Sequence, residues 1–236
     1  MLSALIVGLS ANPALCQNRG GILQGSTPAK GAKSEDPHAE VKLTLRVYNY
    51  AHVDRRSLAQ SEEVATRIFL NIGIETEWLD CPVLKNYRVV SAGCDTDMGA
   101  SDLVVRILPR EMAQRLRMPG ETLGLAQACP DHEPACELDV LYSRVDQLAA
   151  KGYRADRILA YAIAHEVAHV LIGPEHSKEG IMRGEWTPTD LQYMSWGIPL
   201  HFTREQSQHL YDAVLRRNSS GMQLAERSNS RHLGVE

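Results

Sequence analysis

Residues 156–172, DRILAYAIAHEVAHVLI, are apolar nearly all round when wound as a helix. Such a helix cannot lie on a surface with one wet face, so it must run through a core. Three polar groups are set into it: His165, Glu166 and His169. Histidines at i and i+4 stand one turn apart on one face, so their imidazoles can converge on a single ion while Glu166 reaches a water held there. A buried charged glutamate without such work would be costly.

A hydrolytic zinc centre takes three protein ligands and keeps a fourth position open for water. The residues just beyond the helix offer the third ligand. Gly173-Pro174 stop the helix, and a glycine at a helix end can take the left-handed conformation that turns the chain back, bringing His176 to the ion. Glu175 is the nearest rival, then Asp190 and His201, because zinc accepts oxygen as well as nitrogen. Two blander readings stand beside this one: core histidines that merely pack, and a structural zinc without catalysis.

The run H165-E-V-A-H169-V-L-I-G173-P-E-H176-S177 resembles the zinc-binding consensus of the metzincin metallopeptidases, most of all the matrixin style with serine after the third histidine. Six residues separate His169 from His176 where the clan pattern has five. Downstream, Gly180-Ile181-Met182-Arg183 is similar to the Met-turn beneath the metal in that clan, although Met182 follows His176 sooner and also reads as a space-filling core methionine. The resemblance implies one catalytic Zn2+ held by His165, His169 and His176. It further implies Glu166 as general base and a peptide or protein as substrate, with activity falling below about pH 6 as the histidines protonate. The alternative is a secreted, non-catalytic binding domain stabilised by zinc, which would be insensitive to Glu166→Gln. Trp186 either lines a substrate pocket or is buried as a structural aromatic.

The chain has 236 residues, 44% hydrophobic and 23% charged, enough for one domain. A net charge of −4 without a Lys/Arg cluster argues against nucleic acid as a partner. No apolar run reaches the ~20 residues of a bilayer-spanning helix. Residues 1–16 read as a signal peptide: an apolar 2–9 segment, the breaker Asn12-Pro13, and small residues suited to cleavage before Gln17, with no Lys or Arg ahead of them. Export then leaves Cys81, Cys94, Cys129 and Cys136. Their most local pairing is 81–94 with 129–136, and four reduced thiols are the alternative.

Residues 17–40 are too poor in apolar groups to bury a core and read as a disordered linker, and 218–236 as a disordered tail. The folded domain is then 41–217. Alternation over 41–48 predicts a strand. A helix capped by Asp54 or Ser57 follows and ends at Gly73, and further strands fall at 74–78, 102–108, 123–128 and 138–142. A last helix opens at Thr203 with Gln206 completing a capping box, and packs Leu210, Ala213 and Val214 inward. The expected fold class is α/β (α+β), a mixed twisted sheet with helices packed on it.

Overall fold

The computed structural model describes residues 41–81, 83, 94, 96–118, 122–130, 133 and 136–232, with backbone alone beyond 221. The signal-peptide and linker expectations therefore lie outside the described residues. Five strands form one mixed sheet in the order β2-β1-β3-β5-β4. β1 (Lys42–Asn49), β2 (Glu75–Cys81), β3 (Asp102–Leu108) and β5 (Cys136–Leu141) run parallel, and the short β4 (Gly124–Ala126) lies antiparallel on β5 at one edge.

The alternation in β1 sends Leu43, Leu45 and Val47 into the core, where they are essentially inaccessible. α1 (Arg55–Leu70) starts at Asp54, whose carboxylate accepts the Ser57 N–H at 3.0 Å. Gly73, at φ +81°, turns the chain from its end into β2. α4 (Ala155–Ile172) is buried along almost its whole length, touching α1, β4 and β5. Its all-round apolarity is thus matched by cover on every side.

Three helices have no counterpart in the sequence reading: α2 (Arg110–Arg115), α3 (Tyr142–Ala149) and α5 (Pro188–Trp196). The first two are short and carry no side-chain cap. α5 does carry a readable signal, since Thr187 and Asp190 form a capping box around Pro188. β4 is shorter than expected because the chain leaves the sheet to let the Cys129 N–H donate to the Val170 carbonyl at 3.0 Å.

The tail expectation is corrected: α6 (Arg204–His232) continues through 218 to His232. Asn218 bonds both the N–H and the carbonyl of Lys42, tying the start of that stretch to β1. Beyond it Gln, Leu, Ala, Glu and Arg are good helix formers and no proline intervenes. At its other end, Thr203 and Gln206 exchange the two capping-box bonds, and Leu210, Ala213 and Val214 are fully buried.

Candidate metal centre

α4 carries His165 and His169 on one face, and the loop beyond it returns His176 to them. Gly173 makes the turn at φ +101°. Six residues separate His169 from His176, and the turn brings the third imidazole back to the other two. The three Nε2 atoms gather, with 2.9 Å between His165 and His169 and 3.2 Å between His169 and His176. Gly184 makes room for the last ring, since a Cβ there would stand 3.2 Å from His176 Cγ. An N–H···O bond from Ser177 to Met182 (2.8 Å) closes the intervening loop.

The hydrogen bonds on the far side of two rings decide which nitrogens are free. His165 Nδ1 faces the Ile181 carbonyl at 2.8 Å, and His169 Nδ1 faces the Gly173 carbonyl at 2.9 Å. A carbonyl can only accept, so both Nδ1 atoms carry the proton and both Nε2 atoms present lone pairs. Burial presses the His165 pKa down to about 4 and lowers that of His169, which keeps both rings neutral near pH 7. Two neutral Nε2 lone pairs 2.9 Å apart cannot bond to each other. They call for an electrophile between them, and three imidazoles gathered about one point are a fit donor set for zinc.

Glu166 is 5% exposed, and its carboxylate makes no hydrogen bond to any described residue. Burial first, and the charge of Asp139 second, push its carboxyl up to about 8. The β4 backbone runs directly over it: a Cβ on Gly124 would lie 2.5 Å from Glu166 Cγ and Oε1. Glu166 and His165 share the wall of a cavity of about 600 Å³ with Gly124, Leu123, Tyr153 and Trp186. Trp186 is half-buried, so it both lines this cavity and packs edge-on against His165.

The other sequence candidates sit elsewhere. Asp190 caps α5 and pairs with Arg183 at 2.6 Å. His201 and His209 are exposed. Glu175 is exposed, and its charge is felt at His169 without its joining the histidine group. Met182 is fully buried in the core. Disulfides join Cys81 to Cys94 and Cys129 to Cys136. Gly124, Gly184 and the Ile181 carbonyl were missed. Of these only Gly124 carried a signal, as a glycine inside a short strand that marks close approach of another group.

No family model matches this sequence, and no curated protein matches it. Among solved structures the chain is similar to archaemetzincin from Methanopyrus kandleri, at 12% identity and a TM-score of 0.45, over 77% of this chain and 99% of that one. It is also similar to metalloproteinase-II from Bacteroides fragilis, at 10% identity and a TM-score of 0.46, over 74% of this chain and 53% of that one.

Proposed function

We propose that this chain is an exported zinc metallopeptidase of metzincin type, with His165, His169 and His176 as ligands and Glu166 as general base. The observation that carries the reading is the pair of imidazoles locked by backbone carbonyls so that their Nε2 lone pairs meet beside a buried, unbonded carboxylate. Zinc bound there supplies a Lewis acid that acidifies a water and polarises a carbonyl. Glu166 takes a proton from that water at its carboxylate and returns it to the leaving amine nitrogen. Its elevated pKa suits the second role, and a cation close by draws the value down for the first.

β4 is the sheet edge, so its outer side can pair with an extended peptide, while the adjoining cavity takes a side chain. A peptide or protein substrate follows from that pairing. Two disulfides support export, and no helix among the described residues is long and apolar enough to cross a membrane.

Elemental analysis of the purified chain, beside His176→Ala and Glu166→Gln, tests the reading. One zinc per chain is expected, weakened by His176→Ala and kept by Glu166→Gln, with casein cleavage strongly reduced in both. Zinc without cleavage would leave a non-catalytic zinc domain, and no zinc in the metal-supplied wild type would sink the proposal.

A further inference from the structure

Both backbone polar groups of Ile181 are engaged. Its N–H donates to the His201 carbonyl at 3.1 Å, an approach that Gly180 permits at φ +75°, since a Cβ there would strike that same oxygen. Its carbonyl accepts from His165 Nδ1 at 2.8 Å and from Trp186 Nε1 at 3.1 Å. A carbonyl oxygen has two lone pairs, and here each has its donor. The Trp186 ring is itself held, edge-on to His165 with centroids 5.8 Å apart and edge-on to Tyr161 at 6.4 Å. Tyr161 is anchored in turn by accepting the Leu200 N–H at 3.0 Å.

We propose that Trp186 is a positioning residue for the metal centre, its indole N–H fixing the carbonyl that orients His165. This rests on the zinc reading above. With one donor, a carbonyl can swing about its peptide and carry the imidazole with it. With two donors on the oxygen, and the preceding peptide plane held through the Ile181 N–H, the direction of the His165 Nε2 lone pair is set before any ion arrives. Removing such an outer partner of a metal-binding histidine costs ~10–100-fold in affinity. The ring of Trp186 also walls the substrate cavity, so one side chain joins the site that would receive a peptide to the histidine that would hold the metal.

The test compares Trp186→Phe with Trp78→Phe in the full chain. Trp78 makes a similar indole bond, to Thr66 Oγ1 at 2.8 Å, on β2 at the opposite sheet edge from β4. Zinc affinity is measured by competition with a chromophoric chelator, and the visible spectrum of the cobalt-loaded protein reports ligand geometry. Trp186→Phe should weaken zinc about tenfold and shift the cobalt bands, while Trp78→Phe changes neither. Equal zinc affinity and an unchanged cobalt spectrum in folded Trp186→Phe would overturn the proposal.

Should Trp186→Phe misfold, the benzothienyl analogue of tryptophan removes the N–H and keeps the ring. It is introduced biosynthetically in a Trp78→Phe, Trp196→Phe background, and the same two outcomes apply. A wild type that binds no zinc is a different failure, because it removes the zinc reading itself.

Discussion

Two buried polar centres lie in this fold, and they are finished differently. Arg217 on α6 is completely inaccessible, and its terminal nitrogens donate to the carbonyls of Ala100 (2.7 Å), Pro130 (3.0 Å) and Cys129 (3.1 Å) among others. These acceptors include the loop closed by Cys129–Cys136, which is also bound to α4 through Val170. That last bond has a cause: the helical partner of the Val170 carbonyl would be residue 174, a proline with no N–H to give. On α4, by contrast, His165, Glu166 and His169 are also buried, yet the inner nitrogens face one another and the carboxylate has no hydrogen bond to a described residue. Burial alone therefore does not mark a functional site. What sets the second centre apart is the kind of group brought together: the terminal nitrogens of Arg217 meet carbonyls, whereas on α4 two acceptor nitrogens meet each other.

Glu166→Gln makes the sharpest separation of the two centres. It should lower casein cleavage by ~10²–10⁴-fold, the range of a general base, while zinc content stays at the wild-type value. Comparable cleavage by the variant would remove Glu166 from the chemistry.

The pH dependence of the metal-stripped protein reads the same centre without a substrate. His165, pressed by burial from 6.5 to about 4, contributes stability that is present above pH 6.5 and lost as pH falls toward 4. Glu166, raised from 4.5 to about 8, contributes stability present below pH 4.5 and lost as pH rises toward 8. Glu62, raised by burial and by Asp80, adds to the alkaline loss. Between pH 4.5 and 6.5 the His165 and Glu166 contributions oppose each other, and above pH 6.5 the carboxyl alone should draw stability down until about pH 8. Glu166→Gln should flatten the alkaline slope in thermal melts. An alkaline slope equal to that of the wild type would show that this carboxyl is not held protonated.

What was legible in the sequence divides along the same line. The helix that carries the histidines could be read because its pattern is local: an apolar run of helical length interrupted at i, i+1 and i+4. β1 and β3 were legible for the same reason, as alternating or continuous apolar runs. The Arg217 cage could not be read, because its oxygen acceptors are backbone carbonyls 84 or more residues away, and a carbonyl has no residue identity. The carbonyls of Ile181 and Gly173, which settle the histidine tautomers, were hidden likewise. α6 was cut short at 217 because the amphipathic pattern fades there, although helix-forming residues continue.

Arg217→Met tests the centre on α6. Loss of the guanidinium leaves several buried carbonyls without donors, a cost of about 3 kcal/mol in urea unfolding. The zinc affinity of the folded fraction should be unchanged. A matching loss of zinc would mean that the two centres are one cooperative unit, and the contrast between them would collapse.

Gly124→Ala is the gentlest perturbation and the most selective. The new Cβ would stand 2.5 Å from Glu166 Cγ and Oε1, so the carboxylate must rotate away, while no histidine lies among the nearest atoms it meets. Misplacement of a reacting group by ~1 Å can cost 10²-fold, and a flexible glutamate recovers part of that by adjusting its torsions. Cleavage should fall about tenfold, with zinc affinity and the cobalt spectrum as in the wild type. If zinc were lost instead, β4 would be bracing the histidines rather than the carboxylate. If cleavage were untouched, the carboxylate would not need its present position, and the glycine would serve only to let the edge strand pass over the helix.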